Sequence, residues 1–217
     1  MRRIGLMGGS FDPVHEGHLN LAREALASGE VDHVVFLPTG NPPHKPDMAT
    51  CKLDRLRMVE LAVGEEKGMS VSREEIDRGG VIYTIDTLKN LEKRMPDSRF
   101  VYLIGADTLR ALETWRQIDE VIHHCDFLVM MREGETRRDV RELASGWEAR
   151  GARIRFLTAP RMNVSSTQIR RMVAQGESLA GLVPEPVAAY IAARGLYRAK
   201  QEMREAETAG TTIQIPF

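Results

Sequence analysis

The sequence predicts an α/β protein built on a doubly wound parallel sheet, with a small helical segment at its C-terminal end. Three observations favour this fold class. Apolar runs alternate with amphipathic segments up to Leu157. The runs are apolar throughout, as in strands that are buried on both faces of a parallel sheet. Beyond Leu157 two helices follow and no further strand is predicted. The expected fold is therefore Rossmann-like, and ligands of such sheets bind beyond the carboxyl ends of the strands.

Predicted strands and helices alternate along the chain. Strands are expected at Ile4–Met7, His33–Leu37, Met69–Ser72, Phe100–Ile104, Phe127–Met131 and Arg153–Leu157. The segments between and after them predict helices at Leu19–Leu26, Leu53–Val63, Thr84–Met95, Arg137–Arg150, Ser165–Ala174 and Pro186–Arg194. Thr84 is expected to be the N-cap of its helix, because its hydroxyl can accept a free backbone N–H.

The bulk composition limits the classes of protein that fit this chain. A length of 217 residues with 42% apolar residues fits one domain at 1–198, helical from about residue 160, and a peripheral tail at 199–217. The net charge of −1 provides no field that would attract nucleic acid or an anionic membrane. Cys51 and Cys125 are too few for a disulfide framework, and no apolar run reaches the about 20 residues of a spanning helix. We expect a cytoplasmic protein, and the sequence leaves a homo-oligomer open.

The glycine-rich turn Gly8–His18 is the most informative stretch. It joins the first strand to the first helix, where bare N–H groups and the positive end of a helix can meet a phosphate. Gly8-Gly9 allows a sharp turn and close approach of a ligand, and Gly17 is expected to leave room for a phosphate. His15 and His18 can share one face of the first helical turn. The turn lacks the glycine order of dinucleotide-binding oxidoreductases and the ending of a P-loop, and it indicates chemistry on a nucleoside triphosphate.

A second motif, Asn163–Arg171, favours the same ligand. Ser165 and Gln168 fit a capping box, which predicts a helix that begins with free N–H groups. Hydroxyl groups and the guanidinium of Arg170 follow within its first turns, as a polyphosphate site requires. A plain capped helix is the commoner use of such a sequence. The loop Pro38–Pro46 follows the second strand, and therefore lies at the same sheet edge as the first turn.

With these motifs the chain resembles the bacterial nicotinate-mononucleotide adenylyltransferases, of the nucleotidyltransferase superfamily marked by an H-x-G-H and an S-S-T-x-I-R signature. The resemblance covers about residues 2–198, and the turn Gly8–His18 and Ser165–Arg170 carry the superfamily signatures. The nicotinate branch is favoured by residues 42–45, by residues 83–88 and by the pairing of Asp107 with Trp115. Three features depart from the family pattern: Glu133, Asn163 and the residues after Arg198.

The resemblance implies transfer of the adenylyl group of ATP to nicotinate mononucleotide, giving deamido-NAD and pyrophosphate, with Mg²⁺ accompanying ATP and no metal held by the protein alone. The attacking phosphate oxygen is already ionised, so the site must position anions and stabilise charge rather than supply a base. The implied catalytic residues are His15, His18, Lys45 and Arg170. The implied ATP-binding residues are Gly8, Gly9, Ser10, Phe11, Gly17, Gly105, Asp107, Ser165, Ser166 and Thr167. The implied nicotinate-nucleotide residues are His44, Thr84, Trp115 and Arg132.

The acceptor site has the chemistry to prefer an acid over an amide. Thr84 at a helix N-terminus offers a hydroxyl and N–H groups to a carboxylate, which gains more from a positive helix end than a neutral carboxamide does. Trp115 offers a stacking face, although a core aromatic is the competing interpretation. Arg132 either reaches a substrate phosphate or caps a strand end in solvent. The pair Glu74-Glu75 is expected to form a solvated face.

Other interpretations stay open on the sequence alone. Within the superfamily, the acceptor could be nicotinamide mononucleotide or phosphopantetheine. A fragment of a class I aminoacyl-tRNA synthetase would need a K-M-S-K-S-like loop and an anticodon module, which the chain lacks. A non-catalytic nucleotide-binding regulator would be expected to have lost His18 or Arg170. A zinc pair at the two histidines would need further ligands, and the other histidines show no metal spacing.

Overall fold

The structure, a computed structural model, describes residues 1–40, 48–132, 137–160 and 162–198, apart from the side chains of Arg132, Arg137 and Ala159. Its strands form one six-stranded parallel sheet in the order β3-β2-β1-β4-β5-β6. The strands are β1 (Arg2–Gly9), β2 (His33–Pro38), β3 (Met69–Val71), β4 (Ser98–Gly105), β5 (Asp126–Arg132) and β6 (Ile154–Ala159). The predicted fold class and all six predicted strands are confirmed, with ends that differ by one or two residues.

Helices cover both faces of this sheet. They are α1 (Glu16–Ala27), α2 (Lys52–Val63), α3 (Glu74–Arg78), α4 (Thr84–Arg94), α5 (Ala106–Arg110), α6 (Ile118–His124), α7 (Arg137–Ala149), α8 (Ser166–Ala174) and α9 (Glu185–Arg194). The predicted helices are confirmed, whereas α3, α5 and α6 are not among the predicted ranges. Helices α3 and α5 have five residues each, which are too few to show a period. The predicted cap of α4 is wrong: Tyr83 is the N-cap and Thr84 is the first helical residue.

The point at which the chain reverses its strand order lies between β1 and β4. Ile4 of β1 pairs with His33 on one side and with Phe100 of β4 on the other. The helices that follow these two strands cross to opposite faces, so a crevice opens where Gly9 and Gly105 end them. The register thus brings the glycine-rich turn and the residues after β4 to one place.

Two apolar cores, one on each face, hold the sheet edge rigid beneath this crevice. Leu88, Phe100 and Phe127 belong to one core, and Leu19 and Phe36 belong to the other. All five side chains are at most 1% exposed. Burial of a large apolar side chain stabilises a fold by about 1.5–3 kcal/mol, so these residues fix the backbone from which the site projects. In the described part of the chain, no helix is both long and apolar enough to cross a membrane.

The C-terminal end of the described chain is tied to the glycine-rich turn through Asp12. This carboxylate is 4% exposed and accepts hydrogen bonds from the Tyr197 hydroxyl at 2.7 Å, the Thr50 hydroxyl at 2.7 Å and the Ala49 N–H at 2.9 Å. Burial and the negative charge of Asp12 raise the pKa of Tyr197, which keeps its phenol protonated as the donor. The predicted tail at 199–217 lies outside the described residues, and the division at residue 198 stays a prediction.

Removing the Tyr197 hydroxyl is expected to destabilise the protein. A hydrogen bond to a charged group contributes about 1.5–3 kcal/mol, so Tyr197→Phe should lower the free energy of unfolding by that amount in urea. Tyr190→Phe is the matched control, because it removes an equal bond of 2.7 Å, to Asp54, at a more exposed site. If Tyr190→Phe lowered the free energy of unfolding as much as Tyr197→Phe, burial of the Tyr197–Asp12 bond would not add to its contribution.

Candidate active site

The turn after β1 is tightly packed around both of its first glycines. A Cβ on Gly8 would lie 2.2 Å from the Tyr102 hydroxyl, and one on Gly9 would lie 3.0 Å from the Phe11 ring. Phe11 itself has φ of 49°, in the left-handed region that a side chain of its type rarely adopts. The surrounding contacts therefore hold the turn in one conformation, and its backbone is set before any ligand arrives.

His15 and His18 stack on each other at the start of α1, as their spacing predicts. Their ring centroids are 3.7 Å apart and the rings are inclined by 26°. The His15 backbone N–H donates to Nδ1 of His18 at 3.2 Å. Because Nδ1 accepts this bond, the ring proton of neutral His18 sits on Nε2. Phe11 packs edge-on against His18 with centroids 5.0 Å apart, which fixes the direction in which Nε2 points.

Both histidines are neutral at physiological pH in this arrangement. Burial lowers the pKa of His15 to about 4, and its Nδ1 has no hydrogen-bond partner within the described residues. Burial, and then the nearby His15, hold the pKa of His18 well below its usual value. A neutral imidazole can still donate one N–H, and an anionic ligand would favour the protonated form. The pair is thus suited to stabilising negative charge and not to removing a proton from a substrate.

A buried arginine that sequence reasoning missed joins the first turn to the end of β2. Arg55 of α2 is 1% exposed, and its guanidinium donates to the Ser10 carbonyl at 2.8 Å and to the Gly40 carbonyl at 2.9 Å. Burial lowers the pKa of Arg55, but an arginine stays charged at such sites. The Ser10–Phe11 peptide is trans, so a carbonyl that faces Arg55 turns the Phe11 N–H to the opposite side.

The second motif lies directly against the first turn. The Ser165 hydroxyl accepts the Gln168 N–H at 3.2 Å, which confirms that Ser165 caps α8. The Ser166 hydroxyl donates to the Pro13 carbonyl at 2.8 Å, and Arg170 donates to the Asp12 carbonyl at 2.7 Å. Residues about 150 positions apart in sequence are thereby held as one unit. Arg170 also donates to the Thr167 hydroxyl at 3.2 Å, which fixes its guanidinium near the helix N-terminus.

Gly17 lies where the two motifs pack against each other, and it also lines the smaller cavity. A Cβ there would lie 3.0 Å from His15 Nδ1 and 3.0 Å from a methyl group of Val164. These contacts are tighter than ordinary van der Waals distance, so a side chain at residue 17 would require His15 or Val164 to shift by a few tenths of an ångström. The glycine therefore allows the two motifs to pack closely.

Two cavities meet at the histidine pair. The larger, of about 720 Å³, runs from the turn after β1 past the N-terminus of α4 and the end of β4. The smaller, of about 470 Å³, lies between α1 and α8. His18 and Leu21 line both cavities. Predicted site residues in the larger cavity are Gly8, Gly9, Ser10, His18, Thr84, Gly105, Asp107 and Trp115. Those in the smaller one are His15, Gly17, His18 and Ser165.

The far end of the larger cavity combines an aromatic wall with a helix N-terminus. Trp115 is half-buried and packs edge-on against Tyr102, with centroids 5.2 Å apart. Thr84, the first residue of α4, lies beside the Tyr102 phenol. Arg116, which sequence reasoning missed, holds its guanidinium 4.6 Å above the Tyr83 ring and also lines the cavity. A flat ring with an anionic substituent fits these surroundings, since the indole stacks and the helix end attracts negative charge.

Glu75 contradicts the prediction that Glu74-Glu75 forms a solvated face. Glu75 lines the larger cavity and is 8% exposed, and its side chain accepts from the Thr87 hydroxyl at 3.1 Å. Burial raises the pKa of Glu75 to about 7. The error arises because α3 is too short to show which of its faces is apolar. The Glu74 side chain is also only 10% exposed, and it pairs with Arg94 at 3.0 Å.

Three predicted site residues cannot be placed. His44 and Lys45 belong to residues 41–47, outside the described part of the chain, and the Arg132 side chain is likewise outside it. The backbone of Arg132 ends β5. Asp107 is described, with its side chain 76% exposed and an ion pair to Arg110 at 3.0 Å. Its place in the first turn of α5 puts it at the rim of the larger cavity.

Comparison with known proteins agrees with this geometry. The family model described as cytidylyltransferase-like matches residues 6–172. A protein of Bordetella avium named "probable nicotinate-nucleotide adenylyltransferase" is 41% identical over 91% of this chain and 99% of its own. A protein of Halalkalibacterium halodurans with the same name is 37% identical over 98% and 99%. Among solved structures, the Plasmodium falciparum nicotinic acid mononucleotide adenylyltransferase complexed with NaAD matches the fold with a TM-score of 0.73, at 14% identity over 91% and 98% of the two chains.

The family model matches most of the sheet, the turn Gly8–His18 and the capped helix α8 beside it. The chain is therefore a nucleotidyltransferase of the cytidylyltransferase-like family. Within that family, near-complete coverage at 37% and 41% identity shows that the chain belongs to the nicotinate-nucleotide adenylyltransferases. It transfers the adenylyl group of ATP to nicotinate mononucleotide, giving deamido-NAD and pyrophosphate in NAD biosynthesis. The family and the reaction that the motifs predict are confirmed.

Proposed function

We propose that ATP and nicotinate mononucleotide meet at His18, where the two cavities join, and that the adenylyl group is transferred there. The observation that carries this proposal is the junction of the cavities at that residue. ATP would place its triphosphate between the first turn and the N-terminus of α8, where Arg170 and the free N–H groups neutralise charge. Gly105 and Asp107 would line the adenosine site, with Asp107 accepting from a ribose hydroxyl. Nicotinate mononucleotide would fill the end of the larger cavity near Trp115.

The chemistry needs positioning more than it needs acid–base catalysis. An ionised phosphate oxygen of nicotinate mononucleotide attacks the α-phosphorus of ATP, forming a new P–O bond. The bond from the α-phosphorus to the oxygen that bridges to the β-phosphate breaks, and pyrophosphate leaves with both electrons. No proton has to be removed from the nucleophile. The barrier comes from repulsion between anions and from charge on the equatorial oxygens, which fixed N–H donors and cations lower.

In this proposal, His18 donates from Nε2 to an oxygen of the α-phosphate. The bond to Nδ1 already selects the tautomer that makes this possible, so no reorganisation is needed on binding. His15 stacks beneath His18 and gains charge when a phosphate approaches its buried ring. The Phe11 N–H, turned away from Arg55, and the side chains of Ser165 and Thr167 would bind phosphate oxygens. Lys45 would add a further cation at the triphosphate.

Mg²⁺ would enter with ATP. Among the described residues, no three carboxylate, histidine or cysteine side chains are grouped to hold a metal ion. Mg²⁺ commonly keeps several waters and binds substrate phosphates together with one or two protein oxygens. We therefore propose triphosphate oxygens and water as its ligands. When bound, the ion would neutralise phosphate charge, and the residues described above would orient the reacting groups.

The setting we propose follows from the substrates. Both are small anionic nucleotides, so the chain needs no nucleic acid or membrane partner for its reaction. Cys51 and Cys125 are both free thiols, as expected in the reducing cytoplasm. His44 and Arg132 would be additional contacts of the nicotinate nucleotide, beside Thr84 and Trp115.

Acid selection is the part of this proposal most open to test. Pyrophosphate release should be faster with nicotinate mononucleotide than with nicotinamide mononucleotide, because only the acid gains from the N-terminus of α4. Thr84→Val removes the hydroxyl at this end and should lower kcat/KM for the acid about 10-fold more than for the amide, as loss of a charged hydrogen bond does. Equal rates with both acceptors in the wild-type enzyme would contradict acid selection.

The matched control for that variant is Thr108→Val. Thr108 lines the same cavity from α5, where it follows Asp107, and it does not belong to α4. The substitution removes the same atoms, so it should leave the acid-to-amide ratio within about 2-fold of wild type, as for an uncharged surface contact. A similar change of the ratio in both variants would assign the effect to general damage of the cavity.

A further inference from the structure

Glu75 carries a carboxyl group in the larger cavity, and the proposed mechanism does not use this group. It lies on α3, and the backbone of Gly40 packs against it so closely that a Cβ on Gly40 would lie 2.4 Å from the Glu75 carbonyl oxygen. One carboxyl oxygen accepts from the Thr87 hydroxyl. Thr87 follows Thr84 by three positions on α4, so both side chains lie on the same face of the helix. Glu75 thus lies one helical turn from the proposed carboxylate site.

The charges around Glu75 leave its own charge largely uncompensated. On α3, Glu74 and Arg78 are its nearest ionisable neighbours, and they pair with each other at 3.9 Å. From β4 the Tyr102 phenol faces it, with a pKa raised by burial. The remaining groups are Lys52 of α2, which donates to the Ile76 carbonyl at 2.8 Å, the neutral Thr87 of α4, and Asp107 and Arg116 across the cavity. No ion pair joins Glu75 to a cation in the described part of the chain.

A nicotinate carboxylate in this cavity would meet a second carboxyl group. Two carboxylates that share a poorly solvated site do not both ionise, because each raises the pKa of the other. Burial already raises the pKa of Glu75 to about 7, so the protonated form is available at physiological pH. A carboxamide brings no charge, and an ionised Glu75 could accept a hydrogen bond from its NH₂ group. The two acceptors therefore favour opposite protonation states of Glu75.

We propose that Glu75 is a specificity-determining residue, which must hold a proton for the acid acceptor to bind but not for the amide acceptor to bind. The proposal rests on the proposed position of the nicotinate ring between Thr84 and Trp115. The proton comes from solvent and goes to a carboxylate oxygen of Glu75, so one proton is taken up for each acid molecule bound to the ionised form. The preference for the acid is thereby tied to pH.

The direction of the pH effect follows from linkage. Below neutral pH Glu75 is already protonated and the acid binds at full strength. Above neutral pH, a growing fraction of the enzyme must first take up a proton. The kcat/KM for the acid therefore falls relative to the kcat/KM for the amide. Between about pH 6.5 and about pH 8.5 this ratio should fall by up to about 25-fold for a group that titrates near neutrality. Both acceptors carry the same phosphate, whose titration cancels in the ratio.

Steady-state kinetics of three proteins test the proposal. In the wild-type enzyme, the ratio of kcat/KM for nicotinate and nicotinamide mononucleotide should fall with pH. In Glu75→Gln, which stays neutral with the same shape, the ratio should be constant across this range. Asp77→Asn is the control. This substitution removes the same charge from the exposed side of α3, where the Asp77 side chain is 58% exposed. This control should follow the wild-type curve.

Calorimetry of the wild-type protein provides a second measurement that needs no variant. Binding enthalpies in buffers of different ionisation enthalpy count the protons taken up. At neutral pH the acid should take up about half a proton more than the amide. A ratio that is constant with pH in the wild type, or equal proton uptake for both acceptors, overturns the role of Glu75 while leaving adenylyl transfer intact. Absence of pyrophosphate release with either acceptor at every pH overturns the proposed function instead.

Discussion

Replacement of His18 by alanine is expected to lower kcat by about 10²–10³-fold, with a much smaller change in KM for either substrate. Loss of one preorganised donor to a transition-state oxygen has an effect of this size. The structure strengthens the expectation, because the His15 N–H fixes the His18 tautomer and Phe11 fixes the ring. The donor is thus oriented before substrate binds. Pyrophosphate release under saturating ATP and nicotinate mononucleotide measures the effect.

The control for this variant is His124→Ala. His124 is a histidine of α6 whose Nδ1 contacts Glu92 at 2.8 Å, outside both cavities. Its removal should change kcat by less than about 2-fold, as for a surface substitution. Turnover of the His18 variant within a few-fold of wild type would remove His18 from the mechanism and leave the remaining donors to account for the rate.

Arg55→Leu is expected to cause the largest loss of stability among single substitutions near the site. The leucine leaves the Ser10 and Gly40 carbonyls buried without their donor, and each unpaired group costs about 1–3 kcal/mol. Relief from burying a charge offsets part of this cost. We expect a net loss of about 2–4 kcal/mol in the free energy of unfolding, measured in urea. KM for ATP should also rise, because the Ser10–Phe11 peptide is no longer held.

Two further variants separate the buried contacts from the charge of α2. Arg57→Leu removes a cation from the same helix, but its side chain is 54% exposed and pairs only with Glu60 at 3.2 Å in the described structure. It should change stability by less than about 0.5 kcal/mol. Arg55→Lys keeps the charge without the planar fork and should recover part of the loss. Equal stability of the Arg55 and Arg57 leucine variants would show that the two carbonyl bonds are not needed.

These two predictions concern residues with different roles in the same candidate site. In the proposed mechanism His18 touches the reacting atoms, whereas Arg55 is a positioning residue that acts through the backbone of the turn. Loss of the first should appear in kcat and loss of the second in stability and KM. The two residues lie on different helices and share no hydrogen bond in the described structure, so their effects on folding should be close to additive.

Much of the fold could be predicted from the sequence because its signals are local and repeated. Apolar runs of four or five residues predicted all six strands, and the capping sequence at Ser165 predicted the start of α8. The short helices α3 and α5 could not be predicted, since they are held by their neighbours rather than by their own periodicity. The cap of α4 was misplaced by one residue, because the backbone and not the Thr84 hydroxyl closes its first turn.

Some residues of the candidate site could likewise be predicted from the sequence, and others could not. Residues within contiguous motifs, such as His15, His18 and Ser165, could be found because their spacing alone places them on a helical turn. Arg55 and Glu75 could not, since an arginine or a glutamate in an amphipathic segment is far more often solvated than buried. Only a packed structure shows that one is 1% and the other 8% exposed. The placement of His44, Lys45 and Arg132 stays a prediction.

The sequence by itself determined the sheet, the glycine-rich turn and the family, because each depends on a short pattern of neighbouring residues. The tertiary structure alone decided how the two motifs meet, since Ser166 and Arg170 reach the Asp12–Pro13 carbonyls across most of the chain. It also decided the protonation of the site. Burial keeps the histidine pair neutral and raises the pKa of Glu75, and burial is a property of the whole fold that no local pattern records.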